Sequence, residues 1–137
     1  MIIYLDENIS YHIAHGLNQL QIPRNASLSE QIEIKATVDV FGRGAKDEDW
    51  LPQAGAEGAC VITQDINIHR IRHQRELCET HHLGMFFLKP PSKTGFLYWE
   101  SVMIILKHWP EMEQKALREE RAFFYRVAAK SGKLEKV

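Results

Sequence analysis

The chain of 137 residues contains only two cysteines, Cys60 and Cys78, and they do not form a CxxC pair. Their number and spacing indicate neither a disulfide framework nor a cysteine-ligated metal site, so we expect two buried thiols. The sequence also lacks an apolar run of the roughly 20 residues that a membrane-spanning helix needs. Met1 leads directly into a strand-like segment without a signal-peptide pattern. We therefore expect one cytoplasmic domain over 1–137 that does not enter a membrane.

Charge is distributed unevenly along the chain, although the formal net charge is only −1. Residues 1–65 carry ten acids and four Lys or Arg, a balance of −6, whereas residues 66–137 carry eight acids and thirteen Lys or Arg, a balance of +5. This asymmetry fits a cation site beside a surface that binds a polyanion, and it fits ordinary surface charge equally well.

Apolar runs alternate with helical patterns along the chain. This order predicts a three-layer α/β/α fold with a mainly parallel central sheet of four to five strands. The predicted strands cover 1–5, 31–41, 59–63 and 83–88. The predicted helices run from a cap at Asn8 or Ser10 to about Leu20, from the glycine loop at 42–44 onward, over 66–79 and over 97–109. We expect a flexible loop at 23–30, and after a core of about 1–110 a C-terminal extension of about 111–137 that ends in a hairpin or an irregular wrap.

Acidic residues follow three of the predicted strands. They are Asp6 with its neighbours Glu7 and Asn8, then Asp47 with Glu48 and Asp49, and then Asp65. The carboxyl ends of parallel strands meet at one edge of a sheet, where such carboxylates repel one another unless a cation neutralises them. Oxygen ligands select Mg²⁺ or Mn²⁺, which suits phosphodiester hydrolysis. Each acid at a helix start is also explained by the helix dipole alone.

Pro52 bears on which acid of the second segment faces the site. Proline favours the first turn of a helix, which would place the cap near Asp49 and leave Asp47 in the loop.

The segments YLDEN, KDEDWLPQA and CVITQD resemble, in this order, a PIN-like domain, the fold of many bacterial toxin ribonucleases and of related RNA-processing nucleases. The likeness continues through FFLKPP, LYWE, HWPE and GKLEKV and so spans nearly the whole chain. It implies a Mg²⁺- or Mn²⁺-dependent endoribonuclease in which Asp6, Asp47 and Asp65 are the catalytic metal ligands. It also implies a cognate antitoxin protein, or a second copy of the chain, as a partner.

PIN nucleases usually carry a fourth acid on a middle helix, and this sequence shows no clear counterpart. Glu48, Asp49 or the amide of Asn67 are the candidates for its place. The alternative is an inactive PIN-like module that binds RNA or a protein partner without cutting.

A basic segment follows Asp65 and contains His69, Arg70, Arg72, His73 and Arg75. We predict that Arg70 binds RNA phosphate, and that the other basic residues form a solvated helix face with acids four residues away. His69 and His73 also have the spacing of two zinc ligands on a helix, without a third ligand at a persuasive spacing. The further candidate substrate contacts are Asn8, Lys46 and Asn67.

Trp50, Trp99 and Trp109 are consistent with base stacking, but the helical spacing of the apolar residues around Trp99 and Trp109 predicts packing for both. A receiver domain of two-component signalling is a different class of candidate, because Lys89 and Pro90 follow a strand and acids follow the first strand. The sequence fits a receiver poorly, because no acceptor Asp stands immediately after the third strand.

Overall fold

The structure, a computed structural model, describes residues 1–64, 66–130 and 132–137. Its strands are β1 (Ile2–Leu5), β2 (Glu33–Ala36), β3 (Cys60–Gln64), β4 (Gly84–Lys89), β5 (Phe123–Ala128) and β6 (Glu135–Lys136). Its helices are α1 (Tyr11–Asn25), α2 (Thr37–Phe41), α3 (Asp47–Ala56), α4 (Ile68–Thr80) and α5 (Tyr98–Arg118). The strands form one sheet in the order β2-β1-β3-β4-β5-β6, in which every neighbouring pair is parallel except β5 and β6. The predicted α/β fold with a mainly parallel sheet is confirmed, with six strands rather than four or five.

Helices cover both faces of the sheet because successive side chains of each strand point to opposite sides. In β1, Ile3 and Leu5 belong to the hydrophobic cluster that α1 and α5 complete. Tyr4, between them, belongs to the cluster that includes residues of α3 and α4. The sheet is therefore the middle of three layers.

The strand order places a crevice at the carboxyl ends of β1 and β3. From β1 the chain passes through α1 to β2 on one side, and later returns to β3 on the other side of β1. The two connections diverge at this point, and ligands of open α/β sheets bind in the gap that such a divergence leaves. The backbone N–H of Asp6 donates to the carbonyl of Ile62 at 2.9 Å, which fixes the end of β1 against β3.

The strand predicted over 31–41 is wrong beyond Ala36, where the chain turns into α2. β1 pairs with β2 only as far as Leu5 with Ala36, so no neighbouring backbone is available to extend the ladder. Backbone polar groups need partners, and a helical turn supplies them locally. Val40, near the end of the segment predicted as this strand, is exposed.

Helix α1 continues past the predicted end at Leu20, through Pro23, to Asn25. The expected loop therefore begins later than the sequence suggested. The Asn25 side chain closes this loop, because it donates to the Ile32 carbonyl at 2.9 Å and accepts from the Ile32 N–H at 3.0 Å.

The C-terminal segment contributes β5 to the parallel sheet as well as the predicted hairpin. Phe123–Ala128 pairs in parallel with β4, and the short strand β6 then pairs back on β5. Helix α5 extends to Arg118, beyond the predicted end at residue 109. Both cysteines are fully buried, as expected. In the described part of the chain, no helix combines the length and the apolar character that crossing a membrane requires.

The two tryptophans of α5 differ. Trp109 is buried, and its indole N–H donates to Gln21 Oε1 at 2.9 Å, so the prediction of packing is confirmed there. For Trp99 the prediction of packing is wrong, since Trp99 is 70% exposed. Trp99 is the second residue of α5 and lines an open groove between α5 and α1.

Candidate active site

Asp6 follows β1 directly and is 1% exposed, although it is ionisable. Its Oδ1 accepts from the backbone N–H of Glu7 at 2.7 Å, and its Oδ2 accepts from the Thr63 hydroxyl at 2.7 Å. Thr63 is itself fully buried on β3 and also accepts from the Asn8 amide at 3.3 Å. Buried charges persist in proteins when they are hydrogen-bonded and paired, so these donors hold the carboxylate in one orientation.

Asp47 is the first residue of α3 and is 8% exposed, whereas Glu48 and Asp49 in the same turn are exposed. The helix begins there because the Lys46 carbonyl accepts from the N–H groups of Asp49 and Trp50. Pro52 lies inside the helix rather than in its first turn, so the capping argument that favoured Asp49 is wrong. Trp50 is buried, and its indole N–H donates to Asp47 Oδ1 at 3.2 Å.

Two side chains of α4 join these carboxylates. Nη2 of Arg70 donates to Asp6 Oδ2 at 2.9 Å and to Asp47 Oδ1 at 3.2 Å. Nε2 of Gln74 donates to the same two oxygens, at 2.9 Å and 3.4 Å. One nitrogen atom therefore bridges oxygens that come from residues 41 positions apart, and brings them within about 6 Å of each other. Arg70 and Gln74 are four residues apart and so share one face of α4.

Arg70 supplies the positive charge that the carboxylate pair needs. Partial burial by itself lowers the pKa of its guanidinium, but the charges of Asp6 and Asp47 and the hydrogen bonds to them outweigh burial and raise the pKa overall. In this structure the Arg70 guanidinium pairs with the two acids, and its contact with RNA phosphate stays a prediction.

An open cavity of about 620 Å³ lies beside the carboxylate pair. Three of the four predicted substrate contacts line it: Asn8, Lys46 and Arg70. Asn67, the fourth, caps α4, where its side-chain oxygen accepts from the N–H groups of His69 and Arg70. A substrate that enters the cavity would meet a lysine, an amide and the guanidinium, and also the carboxylates of Glu7, Asp47 and Glu48.

Glu7 and Glu48, which neighbour the predicted metal ligands in sequence, each bond to another segment at the rim of the cavity. Glu7 accepts from the Gly44 N–H at 3.0 Å with one oxygen and at 3.1 Å with the other. Gly44 has φ +70°, a conformation that residues with a side chain rarely adopt, so glycine allows this loop to turn toward Glu7.

Glu48 contacts Nε2 of His73 at 2.9 Å. A backbone hydrogen bond and this contact with His73 lower the pKa of Glu48. His73 is therefore engaged with α3 rather than with His69, and the structure gives the zinc interpretation no support.

The donor atoms at this site fit a hard divalent cation. Two oxygens that accept no hydrogen bond are buried beside the carboxylates, Asn8 Oδ1 and Gln74 Oε1. Carboxylate and amide oxygens are the ligands that Mg²⁺ and Mn²⁺ prefer. Among residues 1–64, 66–130 and 132–137, no three His, Cys, Asp or Glu side chains converge as a metal cluster. The third predicted acid, Asp65, lies outside the described residues.

Sequence reasoning brought Asp6 and Asp47 to one edge of the sheet, and the structure places them together there. It missed Gln74, which is fully buried and bonds to both acids. The available signal was its place on the buried face of α4, four residues before Cys78. A polar residue among apolar ones on such a face has a partner inside the protein.

Comparisons with known proteins give one match. A family model described as PIN like domain matches residues 1–90, about two thirds of the chain. Among curated proteins and among solved structures, no match is found. The matched region contains β1, the glycine loop, α3, β3 and α4, and so, among the described residues, every one whose side chain bonds to Asp6 or Asp47. The resemblance seen in the sequence is confirmed over residues 1–90, the receiver alternative is set aside, and the chain belongs to the PIN-like domain family.

Proposed function

We propose that this protein is a Mg²⁺- or Mn²⁺-dependent endoribonuclease of PIN-like type. The observation that carries the proposal is the buried, converging pair of Asp6 and Asp47 at the sheet's topological switch point, beside an open cavity. Two buried carboxylates in the crevice where open α/β sheets bind ligands are placed as a cation site requires, and their oxygens are ligands that Mg²⁺ and Mn²⁺ prefer. Membership of the PIN-like family supports a nuclease.

The side chains have separate tasks in this proposal. Asp6 and Asp47 would hold the cation, and Asp65 stays a predicted third ligand. Activation of the attacking water and stabilisation of the leaving oxygen are what a bound divalent cation supplies. Thr63 orients Asp6 through its 2.7 Å hydrogen bond, and Trp50 orients Asp47. Lys46 lines the cavity, where its ammonium group can bind a phosphate of the RNA.

The test is cleavage of labelled single-stranded and structured RNA in Mn²⁺, in Mg²⁺ and in chelator. We expect cleavage only with metal. Asp6→Asn, Asp47→Asn and Asp65→Asn should each reduce the rate on the order of 100-fold or more while the fold is retained. Asp49→Asn is the matched control, because it removes one carboxylate from an exposed position of the same helix turn as Asp47.

Wild-type rates in Asp6→Asn would disprove the site assignment. Equal losses in Asp49→Asn and Asp47→Asn would mean that charge near the rim, rather than the buried pair, controls activity. Circular dichroism of each variant separates loss of activity from loss of structure.

A second candidate is an inactive PIN-like module that binds RNA or a protein. The observation that favours it is the Arg70 guanidinium, which already balances the carboxylate pair. This candidate predicts RNA binding that is independent of metal and no cleavage under any of the conditions above.

We also propose that the activity is controlled by an antitoxin-type protein partner, with a second copy of the chain as the alternative. Three large apolar residues at the start of α5 are strongly exposed: Leu97 at 74%, Trp99 at 70% and Met103 at 69%. Apolar residues exposed together support a protein interface. Light scattering on the purified chain, with Trp99→Ala as the variant, tests the second copy directly.

A further inference from the structure

The Arg70 guanidinium lies where a cation held by Asp6 and Asp47 would bind. Its Nη2 contacts one oxygen of each carboxylate, at 2.9 Å and 3.2 Å. A Mg²⁺ ion on the same oxygens requires contacts of about 2.1 Å, which leaves no room for a nitrogen between them. Two cations would also repel each other strongly at that distance in a partly buried site. At these two oxygens, Arg70 and a metal ion therefore exclude each other.

We propose that Arg70 is a resident counter-ion of the carboxylate pair and that a divalent cation binds there only by displacing its guanidinium. This inference rests on the metal-dependent function proposed above, but it concerns what occupies the pair before the metal. It assigns to Arg70 a positioning role that begins when the cation arrives.

The structure gives Arg70 the freedom to move and denies it to the acids. The Arg70 side chain is 36% exposed, whereas those of Asp6 and Asp47 are 2% and 8% exposed. Arg70 also lines the open cavity, together with Lys46 and Asn8. A displaced guanidinium enters this cavity without crossing packed side chains. It then adds a positive charge at the place where the substrate phosphate would lie, so that metal entry and phosphate binding favour each other.

Gln74 can partner the site both before and after a cation replaces the guanidinium. Its Nε2 bonds to the same two oxygens as Arg70, while its Oε1 is buried and accepts no hydrogen bond. Rotation of the amide by half a turn exchanges the nitrogen with the oxygen. With Arg70 in place, the amide donates to the carboxylates. With a divalent cation in place, the rotated amide turns its free oxygen to the cation.

The test is the affinity of the purified full chain for Mn²⁺, measured by calorimetry and by electron paramagnetic resonance without RNA. Arg70→Met keeps an unbranched apolar stem and removes the guanidinium with its charge. Removal of the competing guanidinium should tighten Mn²⁺ binding by about tenfold or more, within the usual range of coupling between two sites. Arg72→Met is the matched control, because it removes the same charge from an exposed position on the same helix, and it should change the affinity less than about twofold.

A second measurement does not depend on the folding of a variant. In wild-type protein with ¹⁵N-labelled arginine, Mg²⁺ should shift the side-chain Nε signal of Arg70 and leave that of Arg72 in place. A Mg²⁺ titration that saturates without moving the Arg70 signal would overturn the exchange.

The outcomes separate this inference from the proposed function. If wild type cuts RNA with metal and Arg70→Met binds Mn²⁺ no more tightly, the exchange is wrong and the ribonuclease stands. If only Arg70→Met binds Mn²⁺ and wild type neither binds metal nor cuts RNA, the resident counter-ion is supported and the ribonuclease is overturned. If neither protein binds Mn²⁺, both are overturned.

Discussion

Replacement of Thr63 by valine tests whether the buried hydroxyl holds Asp6 in place. Thr63 is fully buried, and its hydroxyl donates to Asp6 Oδ2 at 2.7 Å. Valine has nearly the same shape but neither donates nor accepts a hydrogen bond, so the change removes the longer 3.3 Å bond from the Asn8 amide and one bond to a charged group. Such bonds contribute about 1.5–3 kcal/mol. Asp6 keeps three donors, from Glu7, Arg70 and Gln74, so we expect no loss above this range.

Urea unfolding followed by tryptophan fluorescence measures this loss. With a slope of about 2 kcal/mol/M for a chain of this size, the midpoint should fall by about 0.7 to 1.5 M at unchanged slope. Thr94→Val is the control, because Thr94 is exposed and its hydroxyl bonds to the hydroxyl of Ser92, which is also exposed. It should shift the free energy of unfolding by less than about 0.5 kcal/mol.

A double-mutant cycle with Asp6→Asn assigns the loss to this pair. In the Asp6→Asn background the acceptor is neutral, so the cost of Thr63→Val should fall to about 1 kcal/mol. A midpoint shift below about 0.3 M in the wild-type background, or equal costs in both backgrounds, would refute the reasoning. In the ribonuclease that we propose, Thr63→Val should also weaken metal binding 10- to 100-fold, on the order that loss of a ligand's supporting bond usually causes.

Three further predictions concern packing and pH. Gly84→Ala should lower the free energy of unfolding by about 1–3 kcal/mol, because its new Cβ would lie 2.3 Å from a phenylalanine ring on β5. Gly16→Ala, in open space on α1, should raise the free energy of unfolding by about 0.5–1 kcal/mol, and melting temperatures compare the two variants. Trp109→Ala should cost about 3–5 kcal/mol and Trp99→Ala less than about 0.5 kcal/mol in urea unfolding, and similar costs would contradict the exposure of Trp99. Burial and a hydrogen bond to a carboxylate raise the pKa of Tyr125 to about 12. The unfolded chain therefore loses the phenol proton at lower pH than the folded chain, so the free energy of unfolding should fall as pH rises from about 10 to 12. In Tyr125→Phe this fall should be less steep.

Strand-end reasoning predicted the convergence of Asp6 and Asp47 because it depends only on parallel topology. Asp6 follows β1, and Asp47 follows β2 after a short helix and a glycine loop. The carboxyl ends of parallel strands lie at the same edge of the sheet, so both acids are expected there whatever the lengths of the loops. The choice between Asp47 and Asp49 was not predictable in this way. It depends on where α3 begins, and the Lys46 carbonyl sets that point through two backbone hydrogen bonds. A helix start shifted by two residues would rotate a different acid toward β1.

The end of β2 shows a second limit of sequence patterns. The alternation of apolar residues continues to Val40, but the strand stops at Ala36 because its partner β1 has ended. A strand extends only while a neighbour supplies hydrogen bonds, and the length of that neighbour is not written in the segment itself. The same reasoning explains β5, whose weak pattern gave no sign that β4 would pair with it in parallel.

The partners of the carboxylates bear on whether a metal is needed for folding. In many small metal-binding domains the ligands converge only when the metal is bound, so chelators unfold them. Here α4 supplies a guanidinium and an amide that satisfy both acids, and β3 supplies a hydroxyl. The repulsion that would otherwise separate Asp6 from Asp47 is therefore balanced within the chain. We therefore expect a chelator to leave the fold intact, and in the ribonuclease that we propose the two acids would lose little conformational freedom when a cation binds.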